Sequence, residues 1–296
     1  MRLLPWLLFT LLACTGPAYG ERLVVATYNV ENYTLADRQT PDGFRPAYPK
    51  PEDAKRALRG VIRSLDADVL ALQEMGGRAF LDELRRDLAS EGMSYPHAEI
   101  LEAGDEPRYV AVLSRRPFAA VVRHADLTFR YFGAEEALKR GLLEVRFAVP
   151  DGELTLFVVH LKSRFTERKD DPQSALRRAG EAEAVRDRIL ARFPEPASAP
   201  FLLVGDFNDG PASRPVRAVL RRGATEICSL LPAADSRGET WTHRYRREDS
   251  YTRVDHIFVS KALAGRVGGG GARIHDGPGT GDASDHRPVR VELVWP

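Results

Sequence analysis

The chain has 296 residues, with 43 Lys and Arg against 42 Asp and Glu and a formal net charge of +1. That balance neither demands nor excludes a polyanionic partner. The two cysteines, Cys14 and Cys228, exclude an internal disulfide framework, because Cys14 sits in a segment expected to be removed or lipidated.

Residues 1–20 read as a processing signal. Arg2 supplies the positive start, Leu3 to Ala13 is apolar, and Ala18-Tyr19-Gly20 resembles a small-residue cleavage site. The apolar run is shorter than the roughly 20 residues a bilayer span needs. Leu11-Leu12-Ala13-Cys14 also resembles a lipobox, which would tether the chain to a membrane through lipid on Cys14. Either way the expectation is export, periplasmic or secreted. Residues 21–296 then suit one large α/β domain, with no later stretch apolar and long enough for a membrane helix.

Residues 22–28 are rich in Val and predict a buried strand. Residues 33–51, interrupted by Pro and Gly, predict a long loop. Pro51-Glu52-Asp53 opens a helix whose apolar face is Ala54, Ala57, Leu58, Val61, Ile62 and Leu65. Residues 68–72 predict a second buried strand, followed by a helix near 78–90. Three strands then come in series, at 109–113, 142–149 and 154–160, with Asp151-Gly152 as a hairpin turn between the last two. A long amphipathic helix over 174–193 leads to a short strand at 201–204. Strands at 254–259 and 288–294 close the chain, separated by a Gly268–Gly271 loop. That loop lacks the strand-turn-helix context of a nucleotide-binding glycine motif.

Several of these strands end in polar groups: Asn29-Val-Glu-Asn32, Gln73-Glu74, His160-Leu-Lys162, Gly205-Asp-Phe-Asn-Asp209, Asp255-His256 and Ser284-Asp-His286. A buried charge without a partner is costly, so polar ends in this number imply one shared polar site. Singly, each has an ordinary explanation: Glu74 a surface acid, Asn29 and Gly205–Asp209 turn residues, His160 a capped strand end. Together they suit chemistry. Glu74 offers a hard oxygen to Mg²⁺, with Asn29 as a neutral helper and Glu31 as an undecided second acid. Asp206 can hold an attacking water, and Asn208 can donate to a phosphate oxygen. The two Asp-His pairs suit one imidazole on a phosphate and a carboxylate that orients a ring.

With these motifs in this order, the chain resembles the endonuclease/exonuclease/phosphatase superfamily of metal-dependent phosphoesterases, which includes DNase I-like nucleases. Leu72-Gln-Glu74, Val112-Leu-Ser-Arg115, Gly205-Asp-Phe-Asn208, Val254-Asp-His-Ile-Phe-Val-Ser260 and Ser284-Asp-His286 carry the resemblance, which spans about residues 22 to 294. It implies an α/β fold, a four-layer α/β/β/α sandwich of two packed mixed sheets. It implies Mg²⁺ or Mn²⁺ (Ca²⁺ as a further option) on Glu74, with Asn29 beside it and Asp285 as another contact. It implies that Asp206 handles the water, Asn208 and His286 contact phosphate, and Asp255 holds the His286 ring. His160 matches a second catalytic histidine of the DNase I-like and sphingomyelinase-like branches. Tyr28 stands where many members carry Trp.

The substrate is less defined. Lys162 and Arg164 lie beside His160, and Arg177, Arg178, Arg214, Arg217, Arg221, Arg222, Arg244, Arg246 and Arg247 cluster nearby in sequence. They could follow a nucleic-acid backbone, although interleaved acids also fit a solvated surface. Trp241, Tyr245 and Tyr251 offer stacking faces. An exported monomeric nuclease acting on DNA or RNA is the leading expectation. The alternatives are a phospholipid-headgroup phosphodiesterase, for which no exposed apolar hairpin stands out, and a binding protein without catalysis.

Overall fold

Alternation along the strand Arg22–Tyr33 fixes which way each side chain faces. Leu23 and Val25 turn to one side, while Val24, Ala26, Tyr28 and Val30 turn to the other, and all are buried. A strand buried on both faces belongs inside a layered molecule. The computed structural model describes residues 22–40, 42–105 and 107–295. The expected signal segment, including Cys14, lies outside the described residues.

The strand belongs to a seven-stranded sheet in the order Ala233–Ala234, Ala272–Ile274, Val289–Val294, Arg22–Tyr33, Val69–Met75, Tyr109–Ser114 and His97–Leu101. A second, six-stranded sheet runs Ser229–Leu230, Asp255–Val259, Phe201–Asp206, Gly152–His160, Leu142–Val149 and Ala120–His124. Both are mixed: Arg22–Tyr33 is parallel to Val69–Met75, Gly152–His160 is parallel to Phe201–Asp206, and their other neighbours are antiparallel. Leu156, Val158, Leu202 and Val204 of the second sheet meet Val25, Ala71 and Val112 of the first in one apolar layer. The helices Glu52–Leu65 and Arg78–Ser90 cover the outer face of the first sheet with Leu58, Ile62, Leu81 and Leu84. Ala175–Arg192 and Arg214–Leu220 cover the second with Val185, Ile189, Val216 and Val219. The expected four-layer α/β/β/α sandwich is what forms.

Three local expectations change. Within the expected loop 33–51, Ala36–Thr40 and Gly43–Tyr48 pair as a hairpin; its residues are mostly exposed, so no apolar alternation marked it. The three strands expected in series do not share a sheet. Tyr109–Ser114 joins the first sheet, between Val69–Met75 and His97–Leu101. The edge strands His97–Leu101 and Ala120–His124 and the hairpin Thr128–Tyr131/Ala134–Ala137, all only partly buried, had not been foreseen. Gly268–Gly270 is a single 3₁₀ turn rather than an open loop. Cys228 is buried, and its thiol rests 3.3 Å from the Val219 carbonyl oxygen. No helix among the described residues is long and apolar enough to cross a membrane.

Candidate active site

Parallel pairing brings strand ends together. Arg22–Tyr33 and Val69–Met75 run the same way, so Asn29 and Glu74 emerge at one edge of the first sheet. In the second sheet His160 sits opposite Asp206, and Asp255 opposes Asp206 from the antiparallel side. Gly205 makes this register achievable. Its φ is +140°, and a Cβ there would lie 1.9 Å from the Val159 carbonyl oxygen. Left-handed backbone recurs at the same edge, at Glu31, Asn32, Glu74 and Asn208, with φ between 47° and 60°. Non-glycine residues adopt that region rarely, and such strain clusters where a side chain must be aimed.

The sheets are joined at Asp206, which is buried. Its Oδ2 accepts from Asn29 Nδ2 at 3.0 Å across the sheet boundary and from Asn208 Nδ2 at 3.3 Å, while Oδ1 accepts from the Asn208 backbone N–H at 2.7 Å. Two imidazoles flank the same oxygen, His160 Nε2 at 3.4 Å and His286 Nε2 at 3.9 Å. His286 Nδ1 lies 2.8 Å from Asp255 Oδ2. Ser284 Oγ ties this segment to the first sheet, donating to the Asn29 carbonyl at 2.8 Å and accepting from His286 N–H at 3.0 Å.

The environment drives the two imidazoles apart. Burial and the nearby Arg140 guanidinium hold His160 well below the usual histidine range, so it stays neutral. Burial also works against a charge on His286, but the Asp255, Asp206 and Asp285 carboxylates outweigh it and raise its pKa well above the usual value. Burial, then the Asp255 charge, raises Asp206 to about 6. One imidazole is therefore charged, one is neutral, and the carboxyl between them is poised near neutrality.

The oxygen-rich side is Glu31, Glu74 and Asp285. Glu74 Oε2 accepts from Asn32 N–H at 2.9 Å, and its Oε1 lies 3.9 Å from His160 Nε2. Glu31 Oε2 accepts from Asp285 N–H at 3.2 Å. Burial and the Asp285 charge raise the Glu31 pKa, while buried Lys50 and Arg246 only partly offset this. These carboxylates and the Asn29 side-chain oxygen are hard-oxygen donors of the kind that suits Mg²⁺, Mn²⁺ or Ca²⁺, though they do not stand close enough to form a ready-made ligand group. Among the described residues, two groups could hold a cation by proximity: His243, Asp285 and His286, and Asp206, Asp255 and His286. In the second, Asp255 Oδ2 is taken by His286, while Asp255 Oδ1 is buried without a hydrogen-bond partner among the described residues.

Asn29, Glu74, His160, Asp206, Asn208, Asp255, Asp285 and His286 thus reach this edge, and His256 does not. Asp255 holds His286, as the resemblance implies, while His256 points away, its Nε2 2.9 Å from the Asp209 carbonyl oxygen and its ring 5.7 Å from that of Phe207. Asn208 has its amide on Leu161 O at 2.9 Å and on Asp206, so it braces the carboxylate. Lys162 lines a cavity of 550 Å³ beside Glu74 and His160, and Arg164 Nε donates to the Asn208 carbonyl at 3.3 Å. Arg214 and Arg222 instead pair with Glu183 and Asp187 of the long helix. Sequence reasoning left Glu31 undecided and missed Lys50, Arg140 and His243. The His243 ring lies 4.5 Å from that of His286, yet the residue comes from an exposed short hairpin that no apolar pattern marks.

The sequence profile of the endonuclease/exonuclease/phosphatase family matches residues 26–286. The chain belongs to this family. Members of the endonuclease/exonuclease/phosphatase family are hydrolases acting on phosphoester bonds. No curated protein matches the sequence. Among solved structures, sphingomyelinase C from Streptomyces griseocarneus is similar at 18% identity and TM-score 0.61, covering 92% of this chain and 99% of that one. The human Nocturnin catalytic domain is similar at 15% identity and TM-score 0.62, covering 94% and 96%. A Staphylococcus aureus beta toxin mutant with bound magnesium ions is similar at 15% identity and TM-score 0.61, covering 93% and 99%. Identities this low establish the DNase I-like fold and nothing finer.

Proposed function

We propose that the chain is an exported, divalent-metal-dependent phosphodiesterase that cuts DNA or RNA by in-line attack of water. The observation that carries this reading is the Asp206 cluster: a carboxyl raised to about 6 and set between a neutral and a charged imidazole. Asp206 takes a proton from the attacking water, in the range where a general base works best. Asn29 and Asn208 hold its oxygens in place. His286, kept protonated by Asp255, donates from Nε2 to a phosphoryl oxygen, and His160 stays neutral beside Asp206 and Glu74. Glu74, Asp285 and the Asn29 side-chain oxygen, with Glu31 behind them, would hold Mg²⁺ or Mn²⁺. When bound, that ion offsets charge developing on the phosphoryl group and leaving oxygen.

A polymeric substrate is favoured by the 550 Å³ cavity beside Glu74 and His160. It carries Arg108, Lys139 and Lys162, none of which has a carboxylate within ion-pair distance among the described residues. Asp105 and Glu181, in the same cavity, are taken up by Arg140 and Arg177. Cations left unpaired suit a phosphate backbone. A phospholipid head-group reading keeps exposed aromatics in its favour, Phe165 and the hairpin residues Phe44 and Phe132. The hairpin Thr128–Tyr131/Ala134–Ala137 presents Phe132 at its tip, 50% exposed, an apolar hairpin tip that the sequence had not revealed. Arg168 covers that ring from 4.4 Å, which blunts it as a membrane anchor.

The test is a panel: purified protein with Mg²⁺, Mn²⁺ or EDTA against plasmid DNA, RNA, sphingomyelin vesicles and bis-p-nitrophenyl phosphate. Metal-dependent cleavage of nucleic acid is expected. Release from sphingomyelin without cleavage of nucleic acid would reverse the substrate, and activity on none would leave a binding protein.

A further inference from the structure

A second cavity, of 310 Å³, opens on the other side of the centre, against Ser284 and Asp285. Its wall is the hairpin His243–Tyr245/Ser250–Thr252. That hairpin is fastened to the catalytic segment. His243 bridges to His286, Arg244 N–H donates to the Asp285 carbonyl at 2.9 Å, and Arg287 N–H donates to the Thr242 carbonyl at 2.6 Å. What lines the cavity therefore has a fixed position relative to the reacting phosphate.

The lining combines two chemistries. Trp241 and Tyr251 meet edge to face at 4.9 Å. Trp241 is preset, with the Arg287 guanidinium 3.9 Å from its ring centroid and its Nε1 donating to Glu239 at 2.9 Å. Arg287 is in turn locked to buried Asp235 at 2.6 Å. Tyr251 leaves 46% of its surface open. Arg246, in the same lining, has no carboxylate within ion-pair distance among the described residues. Its guanidinium donates to the Gly281 carbonyl at 3.0 Å. The open Tyr251 ring, with Trp241 edge-on to it and an unpaired guanidinium in the same lining, suits a planar base carrying a phosphate. Three of the four arginines lining it are paired, Arg237 and Arg287 with Asp235 and Glu239 and Arg244 with Asp249, so Arg246 is the cation left for a phosphate. The volume is at the low end for ligand sites, which run from about 300 Å³, and admits one base rather than a paired one.

Resting on the phosphodiesterase reading above, we propose that this cavity is a base-stacking subsite. One unpaired nucleobase lies against Tyr251 and Trp241, the adjoining phosphate lies on Arg246, and the substrate is single-stranded nucleic acid.

The test measures binding without cleavage. The Asp206→Asn protein, in Mg²⁺, is titrated with a fluorescein-labelled eight-nucleotide single strand and with the same strand as a duplex, following anisotropy and tryptophan emission. The single strand should bind at least ten-fold tighter than the duplex and quench emission. Tyr251→Ala in that background should weaken binding roughly ten-fold, and Tyr251→Phe should restore most of it, as expected for stacking. Arg246→Gln should flatten the salt dependence by about 0.7 in the log–log slope, the loss of one phosphate contact on a single strand. Equal binding of duplex and single strand would overturn the proposal, as would unchanged binding by both Tyr251→Ala and Arg246→Gln. If wild-type protein still cuts nucleic acid in that case, the phosphodiesterase reading survives. Phosphocholine release from sphingomyelin vesicles with no strand bound would overturn the subsite and the nucleic-acid substrate, and leave the phosphodiester chemistry standing.

Discussion

The two sheets contribute different chemistry to the same edge. The first supplies oxygen: the Asn29 side chain, Glu31 and Glu74 at parallel strand ends, and Asp285 ahead of its last strand. The second supplies the titratable His160, Asp206 and Asp255, which on the proposed reading handle protons, with Asn208 bracing Asp206. His286 spans them, entering the first sheet while its ring is held by Asp255 of the second. Neither half can work alone. A centre divided in this way exists only while the sheets are packed, so stability and activity share one interface.

The harshest way to break the second half is Gly205→Ala. With the Val159 carbonyl oxygen 1.9 Å from the new Cβ and φ at +140°, the backbone must move. The expected cost is at least about 4 kcal/mol, in the exceptional class of point mutations. Thermal unfolding would check it, and an unchanged melting temperature would contradict the packing described here. Next is Asp206→Asn, which removes the base and leaves the shape. Hydrolysis should fall roughly 10³-fold, within the usual range for general acid–base groups, with an unchanged circular dichroism spectrum. Asp255→Asn leaves Asp206 in place and acts through the His286 ring and the charge beside Asp206, so it should cost less, about 10²-fold. Because Asp255 favours the charged ring, the His286 pKa read by NMR should drop in that variant.

The smallest effect concerns the anchor of the His286 segment. Asp235 accepts from Arg287 and from the backbone N–H groups of Arg237 and Glu239. Burial opposes its charge, but these bonds hold its carboxyl well below the usual range. A depressed carboxyl contributes stability above its unfolded pKa of about 3.9 and loses it as pH falls toward the folded value. The melting temperature should therefore drop below about pH 4, less steeply in Asp235→Asn than in wild type.

Much of the architecture and the centre was legible in sequence because both follow from strong local signals. Runs such as Leu70-Ala-Leu72 and Phe201–Val204 are apolar on both faces, and polar residues that interrupt them stand out. Edge elements gave no such signal. Ala36–Thr40, Gly43–Tyr48 and His243–Tyr245 are largely exposed, so backbone pairing formed them without an apolar pattern. His243 and Lys50 reach the site from such segments, and Arg140 from a turn. The pairing of Asp255 with His286 rather than with neighbouring His256 was invisible to local pattern and came only from the family resemblance. Successive residues of a strand point to opposite faces, so adjacency in sequence put His256 on the wrong side.

The central claim is that the oxygen side and the imidazole side form one centre. Its most direct test is the initial rate of bis-p-nitrophenyl phosphate hydrolysis against Mg²⁺ concentration. Glu74→Gln from the first half and His286→Ala from the bridge are compared with wild type, all three shown to be folded. The account predicts wild-type activity that EDTA abolishes and Mg²⁺ restores, and a loss of roughly 10³-fold in each variant at saturating metal. Near-normal turnover in either folded variant would contradict it.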